Sequence, residues 1–236
     1  MAAGLLKGIK AIIFDLDNTL EDFATAEAVA EASLAEIVSG QTRCKPLEFL
    51  SAFTEAKHRY NHELSPAAYS RLVWIEEAAQ VVHIKIDAQE LESDYWKILR
   101  KEVRLYSQAL ETLNSLRKLG FKLALLTDSD GIPGLKRRRI DELKLTPCFD
   151  VIVTSDDVGE NKPSLAGFHF VLEKLGLPAS ACLMVGDHPE FDLAPAKRLG
   201  MWTVWTQERI VFDRSFPFVD FKIKKISDIL SLPGFT

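Results

Sequence analysis

Cysteine is scarce in this chain. Cys44, Cys148 and Cys182 are the three it has, they lie far apart, and no Cys-x-x-Cys occurs. Scattered thiols in odd number exclude a disulfide framework and a thiolate zinc site, and they fit a reduced, cytoplasmic setting. Long apolar runs are lacking too. Lys7 and Lys10 precede an apolar stretch of a few residues that runs at once into carboxylates. This reads as neither a signal peptide nor a membrane span, which needs about 20 apolar residues. Nor is there an excess of positive charge. Against 34 acidic residues stand 29 Lys and Arg, leaving a net charge of -5, which excludes general nucleic-acid binding. The basic run Lys136-Arg137-Arg138-Arg139 is followed by Ile140, Asp141, Glu142 and Leu143, and reads as a solvated helix face. No repeat or low-complexity segment interrupts the chain.

What is present is ordinary globular material. The 236 residues are 47% hydrophobic and 27% charged, enough for a sizeable core, with or without a smaller partner domain. One stretch stands out: Ala11-Ile12-Ile13-Phe14-Asp15-Leu16-Asp17-Asn18-Thr19-Leu20. An apolar run without polar alternation predicts a strand buried on both faces, as in parallel sheets. Asp15 and Asp17 then stand at its carboxyl end, where open α/β sheets bind ligands. Carboxylates two apart on a rigid element suit a hard cation such as Mg²⁺. They also suit a division into nucleophile and acid/base.

Beyond Leu20 the pattern is helical as far as Arg104. Ala24–Val38 ends near Gly40, and Phe49, Phe53, Ala56 and Tyr60 recur at helical spacing. Ser65-Pro66 predicts the start of a third helix with Leu72, Ile75, Ala79 and Val82 on one face, and Asp87 with Glu90 opens a fourth. Strand and helix then alternate: a helix ending at Gly120, strands over Phe121–Leu126, Phe149–Val153, Cys182–Val185 and Trp202–Trp205, and helices between them. The segment Phe218–Leu232 predicts an edge strand and a terminal helix. Such alternation predicts an α/β fold with a doubly wound parallel sheet, interrupted by a helical bundle. The expected division is a core of residues 1–20 and 105–236 and a helical cap of residues 21–104.

The segment Asp15-Leu16-Asp17-Asn18-Thr19-Leu20 resembles the first motif of the haloacid dehalogenase-like hydrolase superfamily, made up mostly of phosphatases. Three later strand ends continue the resemblance: Thr127-Asp128, Lys162-Pro163, and Gly186-Asp187 through Asp192. The resemblance implies Asp15 as nucleophile, or as metal ligand alone, and Asp17 as general acid/base. It implies Thr127 and Asp128 at the substrate phosphate, where Thr127 could instead cap a turn, and Lys162 as a cation offsetting charge on Asp15 and the phosphoryl group. Mg²⁺ would be held by Asp15, Asp187 and the backbone carbonyl of Asp17. Asp192 would orient Lys162 or its own loop, or else cap a helix, and Thr19 would support the first loop. The chain departs from the family at Ser164-Leu165, where an acid and a second Pro are usual, and at Pro195-Ala196 in place of Gly-Ala. Asp17 argues against dehalogenation. A cytoplasmic Mg²⁺-dependent phosphatase of small phosphorylated metabolites, monomer or homodimer, is the expected activity, with a phosphomutase or a non-catalytic binding protein as alternatives. His188 could face the cleft, and His58 with His62 forms an i, i+4 pair without an evident third ligand. Trp74, Trp96, Trp202 and Trp205 are expected to pack.

Overall fold

In the computed structural model, the structure describes residues 8–60, 63–209, 211 and 213–233. His62, half of the expected histidine pair, lies outside the described residues, as does Lys7. Six parallel strands form one sheet in the order β3-β2-β1-β4-β5-β6. They are β1 (Ala11–Phe14), β2 (Lys122–Thr127), β3 (Val151–Thr154), β4 (Cys182–Gly186), β5 (Trp202–Thr206) and β6 (Phe221–Ile223). β1 is central and fully buried, and Phe14 pairs with Leu125 of β2 on one side and Val185 of β4 on the other. The chain winds out to β3 on one side of β1, then returns to β4 on the other. That reversal leaves a crevice beyond the carboxyl ends of β1, β2 and β4.

Alternation along β1 explains its two-sided burial. Ile12 and Phe14 pack with Leu113 and Leu116 of α5 (Ala109–Lys118) in one layer. Ala11 and Ile13 pack with Phe168 and Val171 of α8 (Ala166–Leu175) in the other. The remaining core helices are α6 (Leu135–Glu142), the single turn α7 (Ser155–Val158) and α9 (Ala194–Arg198). Pro195 falls in the first turn of α9, where its missing N–H costs no hydrogen bond, and a π-helical turn over Pro189–Leu193 precedes it. The terminal segment closes with a 3₁₀ helix over Ile226–Ser231, beside the short edge strand β6.

Between β1 and α5 lie α1 (Phe23–Gln41), α2 (Pro46–Tyr60), α3 (Arg71–Val81) and α4 (Ala88–Glu102). The carboxylates of Asp22 and Asp87 accept from first-turn N–H groups of α1 and α4. The four helices share an apolar cluster of Leu34, Val38, Phe53, Trp74, Ile75, Tyr95 and Leu99. The predicted third helix divides in two. Pro66 opens a 3₁₀ turn, Pro66–Tyr69, and α3 starts only at Arg71. The inward face of α3 is also rotated from the predicted stripe, with Trp74 and Ala78 buried beside Ile75 and Ala79. Two chain crossings join these helices to the sheet: Asp22 N–H donates to Arg104 O at 2.9 Å, and Tyr106 N–H to Leu20 O at 3.0 Å. Among the described residues no helix is long and apolar enough to cross a membrane.

Candidate active site

Sheet register sets the site. Asp15 follows Phe14, and its backbone N–H donates to Val185 O at 2.9 Å, so its side chain emerges where β1 stops. Thr19 donates its hydroxyl to Asp15 Oδ2 at 3.2 Å. The turn between them places Asn18 at φ 59°, a left-handed conformation that Asn tolerates, and its side chain accepts from the N–H of Ala24 as α1 begins. From β2 comes Thr127, whose buried hydroxyl has no partner and lines the same cavity as Asp15. Asp128 follows. Its Oδ1 accepts from the backbone N–H of Lys162 at 2.8 Å and from the Ser155 hydroxyl at 2.9 Å. Asp128 therefore lies at the cavity wall with one oxygen committed to bracing the loop that carries Lys162.

Lys162 Nζ stands 2.6 Å from Asp15 Oδ1 and 2.6 Å from Asp192 Oδ1. Burial alone would favour loss of its proton, but Asp15 and Asp192 hold the ammonium well above its ordinary pKa. Asp192 sits inside the π turn, and its other oxygen accepts from the N–H of His188 at 3.0 Å. Gly186 makes room for it: a Cβ there would overlap the Asp192 side chain. Asp187 ends β4. His188 reaches the cavity, its ring stacked on Phe191 with centroids 4.3 Å apart.

Oxygens of Asp15, Asp187 and Asp192 lie within 4.8 Å of one another. Three carboxylates share one ammonium, and the imbalance is visible in their acidities. Burial, then the neighbouring carboxylates, push Asp15 up to about 7 against the pull of Lys162. Burial together with Asp15 and Asp192 drives Asp187 well above the carboxylate range. Such crowding is relieved by a hard dication taking oxygen ligands, and Mg²⁺ fits this donor set.

The side chain of Asp17 is not in this group. It is turned toward α6, with Oδ2 2.7 Å from Lys136 Nζ and Oδ1 2.7 Å from Arg139 Nη2. Burial would raise its pKa, but Arg139 and Lys136 hold it far below the ordinary range. Any share of Asp17 in a metal site therefore falls to its backbone. Here the expectation of a solvated basic face is corrected. Arg137 and Arg138 are exposed, whereas Lys136 and Arg139 are each 1% exposed. Residues three apart share a helix face, and Lys136 and Arg139 lie on the face of Ile140 and Leu143, which packs inward. That apolar face could have been read from the sequence and marks both cations as buried. Their acidic partners Asp130 and Glu21 carry no motif that would single them out.

A cavity of about 400 Å³ opens over these residues. The helices α1 to α3 and the turn before α3 add Glu27, Lys57, His58, Tyr69, Arg71 and Trp74 to its wall. Arg71 is buried over the rings of Trp74 and Trp96, 4.4 and 4.7 Å away, and bonds Glu27 at 3.1 Å. Lys57 joins Glu27 at 2.7 Å and Glu31 at 2.9 Å. A separate cavity of about 320 Å³ shares Asp187 and His188 but holds neither Asp15 nor Lys162.

A doubly wound sheet with a lysine-paired carboxylate and an acidic cluster at its carboxyl edge defines an α/β enzyme that works at that edge. The model of one family, the haloacid dehalogenase-like hydrolases, matches residues 9–200. The chain is similar to a glyceraldehyde 3-phosphate phosphatase of Methanocaldococcus jannaschii, 30% identical over 83% of this chain and 84% of that protein. It is also similar to the N-acylneuraminate-9-phosphatase of Homo sapiens, 28% identical over 97% and 94%. In fold it resembles a HAD-type hydrolase of Bacillus subtilis solved bound to magnesium, with TM-score 0.76, 21% identity, and 96% and 99% of the two chains covered. The chain belongs to the haloacid dehalogenase-like hydrolase family, and it is an enzyme of the hydrolase class.

Proposed function

We propose that the protein is a Mg²⁺-dependent phosphatase of small phosphate monoesters, working through a phosphorylated Asp15. The observation that carries this reading is the Asp15–Lys162–Asp192 chain at the mouth of the sheet, 2.6 Å at each link. Its relatives act on glyceraldehyde 3-phosphate and N-acylneuraminate 9-phosphate, both small phosphorylated metabolites.

In the first half, an oxygen of Asp15 bonds to phosphorus while the bond from phosphorus to the ester oxygen breaks, and the departing oxygen takes a proton from Asp17. In the second half, water attacks the aspartyl phosphate and Asp17 takes its proton. The phosphorus–oxygen bond to Asp15 breaks, and inorganic phosphate leaves. The two cations beside Asp17 favour its ionised, base form, so the proton given in the first half arrives with the ester. Lys162 offsets charge on Asp15 and on the transferring group. The unpartnered Thr127 hydroxyl is free to donate to a phosphate oxygen. Mg²⁺, held by Asp15 and Asp187 with Asp192 beside them, would neutralise charge on the phosphoryl oxygens. The helices over the cavity would exclude bulk water, and Glu27, Lys57 and Arg71 line the part of the cavity where a leaving group would lie. The cavity is sized for a triose to a single sugar rather than a polymer.

A panel of sugar, triose and 2-phospho acids with Mg²⁺ tests the reading. At least one ester is expected to turn over, and Asp15→Asn to lower that turnover by on the order of 10³-fold or more. A folded wild type inert toward every ester, or full activity in Asp15→Asn, would refute it.

A further inference from the structure

Four ionisable side chains meet beneath Asp17, and the phosphatase chemistry uses none of them. Lys136 Nζ is 2.7 Å from Asp17 Oδ2 and 2.8 Å from Asp130 Oδ1. Arg139 spreads its fork wider. Nη2 reaches Asp17 Oδ1 at 2.7 Å and Asp130 Oδ1 at 2.9 Å, Nε reaches Asp130 Oδ2 at 3.2 Å, and Nη1 bonds Glu21. Lys136 and Arg139 are each 1% exposed, Asp130 2% and Glu21 0%.

Burying two cations and two acids beside the part-exposed Asp17 is expensive, and an apolar cluster of equal volume is often no less stable. A helix turn that merely packed on the sheet would not need them. What the two cations accomplish jointly is specific. Each takes one oxygen of Asp17, so both ends of that carboxylate are fixed and its rotation about χ2 is held. The cations come from sequence positions 119 and 122 residues beyond Asp17, on a rigid helix. Glu21, the third acid, sits where the chain leaves the sheet: one bridge joins it to Asp17 in the turn after β1, the other to Leu105, where the chain returns from the helical insert. Arg139 thus holds the carboxylate of Asp17 and the exit of the insert with one guanidinium.

The geometry points to Lys136 and Arg139 as positioning residues for Asp17. Asp17 lines the cavity, and the two cations fix its carboxylate at that wall for the water that cleaves the aspartyl phosphate. This rests on the phosphatase reading of Asp17 as acid/base. Lys136 and Arg139 lie outside the cavity lining, and act through the carboxylate they grip. An acid/base group displaced by about 1 Å loses up to about 10²-fold in rate while binding is kept. Loosening the grip therefore slows the second half of the reaction more than it weakens substrate capture.

The test uses the full chain with Mg²⁺ and p-nitrophenyl phosphate, whose leaving group needs no proton, so that only the second half depends on Asp17. The variants are Arg139→Lys, which keeps the charge but cannot span three acids, and Lys136→Gln. In each, kcat is expected to fall about tenfold or more and KM to fall with it, so that kcat/KM stays within about twofold. A ³²P label from the ester should accumulate on the acid-quenched protein and be released by hydroxylamine, as an acyl phosphate is. If either variant melts too low to assay, the other and the label measurement decide. Wild-type kcat in both, or a loss of activity that follows melting temperature with no bound label, overturns the assignment. Wild type that hydrolyses no ester at all would instead refute the phosphatase reading, so the two failures are told apart.

Discussion

Lys162 lies between two carboxylates at equal distance, and among the described residues it is the one ammonium facing the three acids of the cluster. Replacing it with Met removes the charge and keeps most of the stem. Turnover is expected to fall about 10²- to 10³-fold, as when a preorganised donor is removed from a reacting oxygen. Stability should fall as well, by about 3–5 kcal/mol, because Asp15 and Asp192 are left buried without a counter-charge. Adding Mg²⁺ should restore part of the melting temperature and little of the rate, which separates the two effects; recovery of the rate with Mg²⁺ would show that Lys162 acts only as a structural charge. At this scale the sequence was informative wherever a residue ends a strand. Asp15, Thr127 and Asp187 are found at predicted strand ends, because an apolar run that stops at a polar residue can be read locally. Of the partners of Asp17, Lys136 and Arg139 could be placed on the inward face by their spacing from Ile140 and Leu143, whereas Asp130 and Glu21 are acids among many.

The helical insert meets the loop after β2 at Gly131. Its φ is +82°, and a Cβ there would overlap the backbone of Tyr69 and Ser70, in the turn before α3. Nearby, Asn161 N–H donates to Leu64 O at 2.5 Å and its side chain to Ser65 O at 2.8 Å, one residue before Lys162. The turn Pro66–Tyr69 is thus held between two loops of the site. This explains why Pro66 opens a 3₁₀ turn and not the third helix itself: the backbone has to lie flat against Gly131 before α3 can begin. Gly131→Ala is expected to cost about 1–3 kcal/mol through positive φ and backbone overlap. It should raise KM for a physiological-size ester more than for p-nitrophenyl phosphate, since it displaces the wall that bears Tyr69 and Arg71. Equal effects on both esters would place the strain in the sheet alone. The strands and most helices were legible because their periodicity is local. The π turn at Pro189–Leu193 and the helix α7 were not, since both are set by contacts: the Asp192 carboxylate against Gly186, and the Asp157 carboxylate accepting from Thr154 N–H at 2.7 Å.

Across the molecule, the acids at the sheet edge tie stability to pH and to a cation. An exposed carboxyl in the unfolded chain titrates near 4. Asp15 in the fold titrates at about 7, and Asp187 is shifted in the same direction. Between those values the folded protein binds more protons than the unfolded chain, so stability falls as pH rises through that window and is lowest above it. Asp17 and Asp130 have lowered pKa values, and their contribution is lost only as pH falls below the ordinary carboxylate range, outside this window. A dication that binds ionised carboxylates competes with those protons. Saturating MgCl₂ should therefore raise the melting temperature at pH 8 by about 5–10 °C, as binding at about 100 times Kd would in a chain of this length. At pH 5, where Asp15 and Asp187 keep their protons, the rise should be small. Asp187→Asn removes one ligand and one of the repelling charges. It should stabilise the metal-free protein at pH 8 and abolish most of the Mg²⁺ response. Melting curves of wild type and Asp187→Asn at the two pH values, with and without MgCl₂, check this. A shift of equal size at both pH values, or one that survives in Asp187→Asn, would place the cation elsewhere than among Asp15, Asp187 and Asp192.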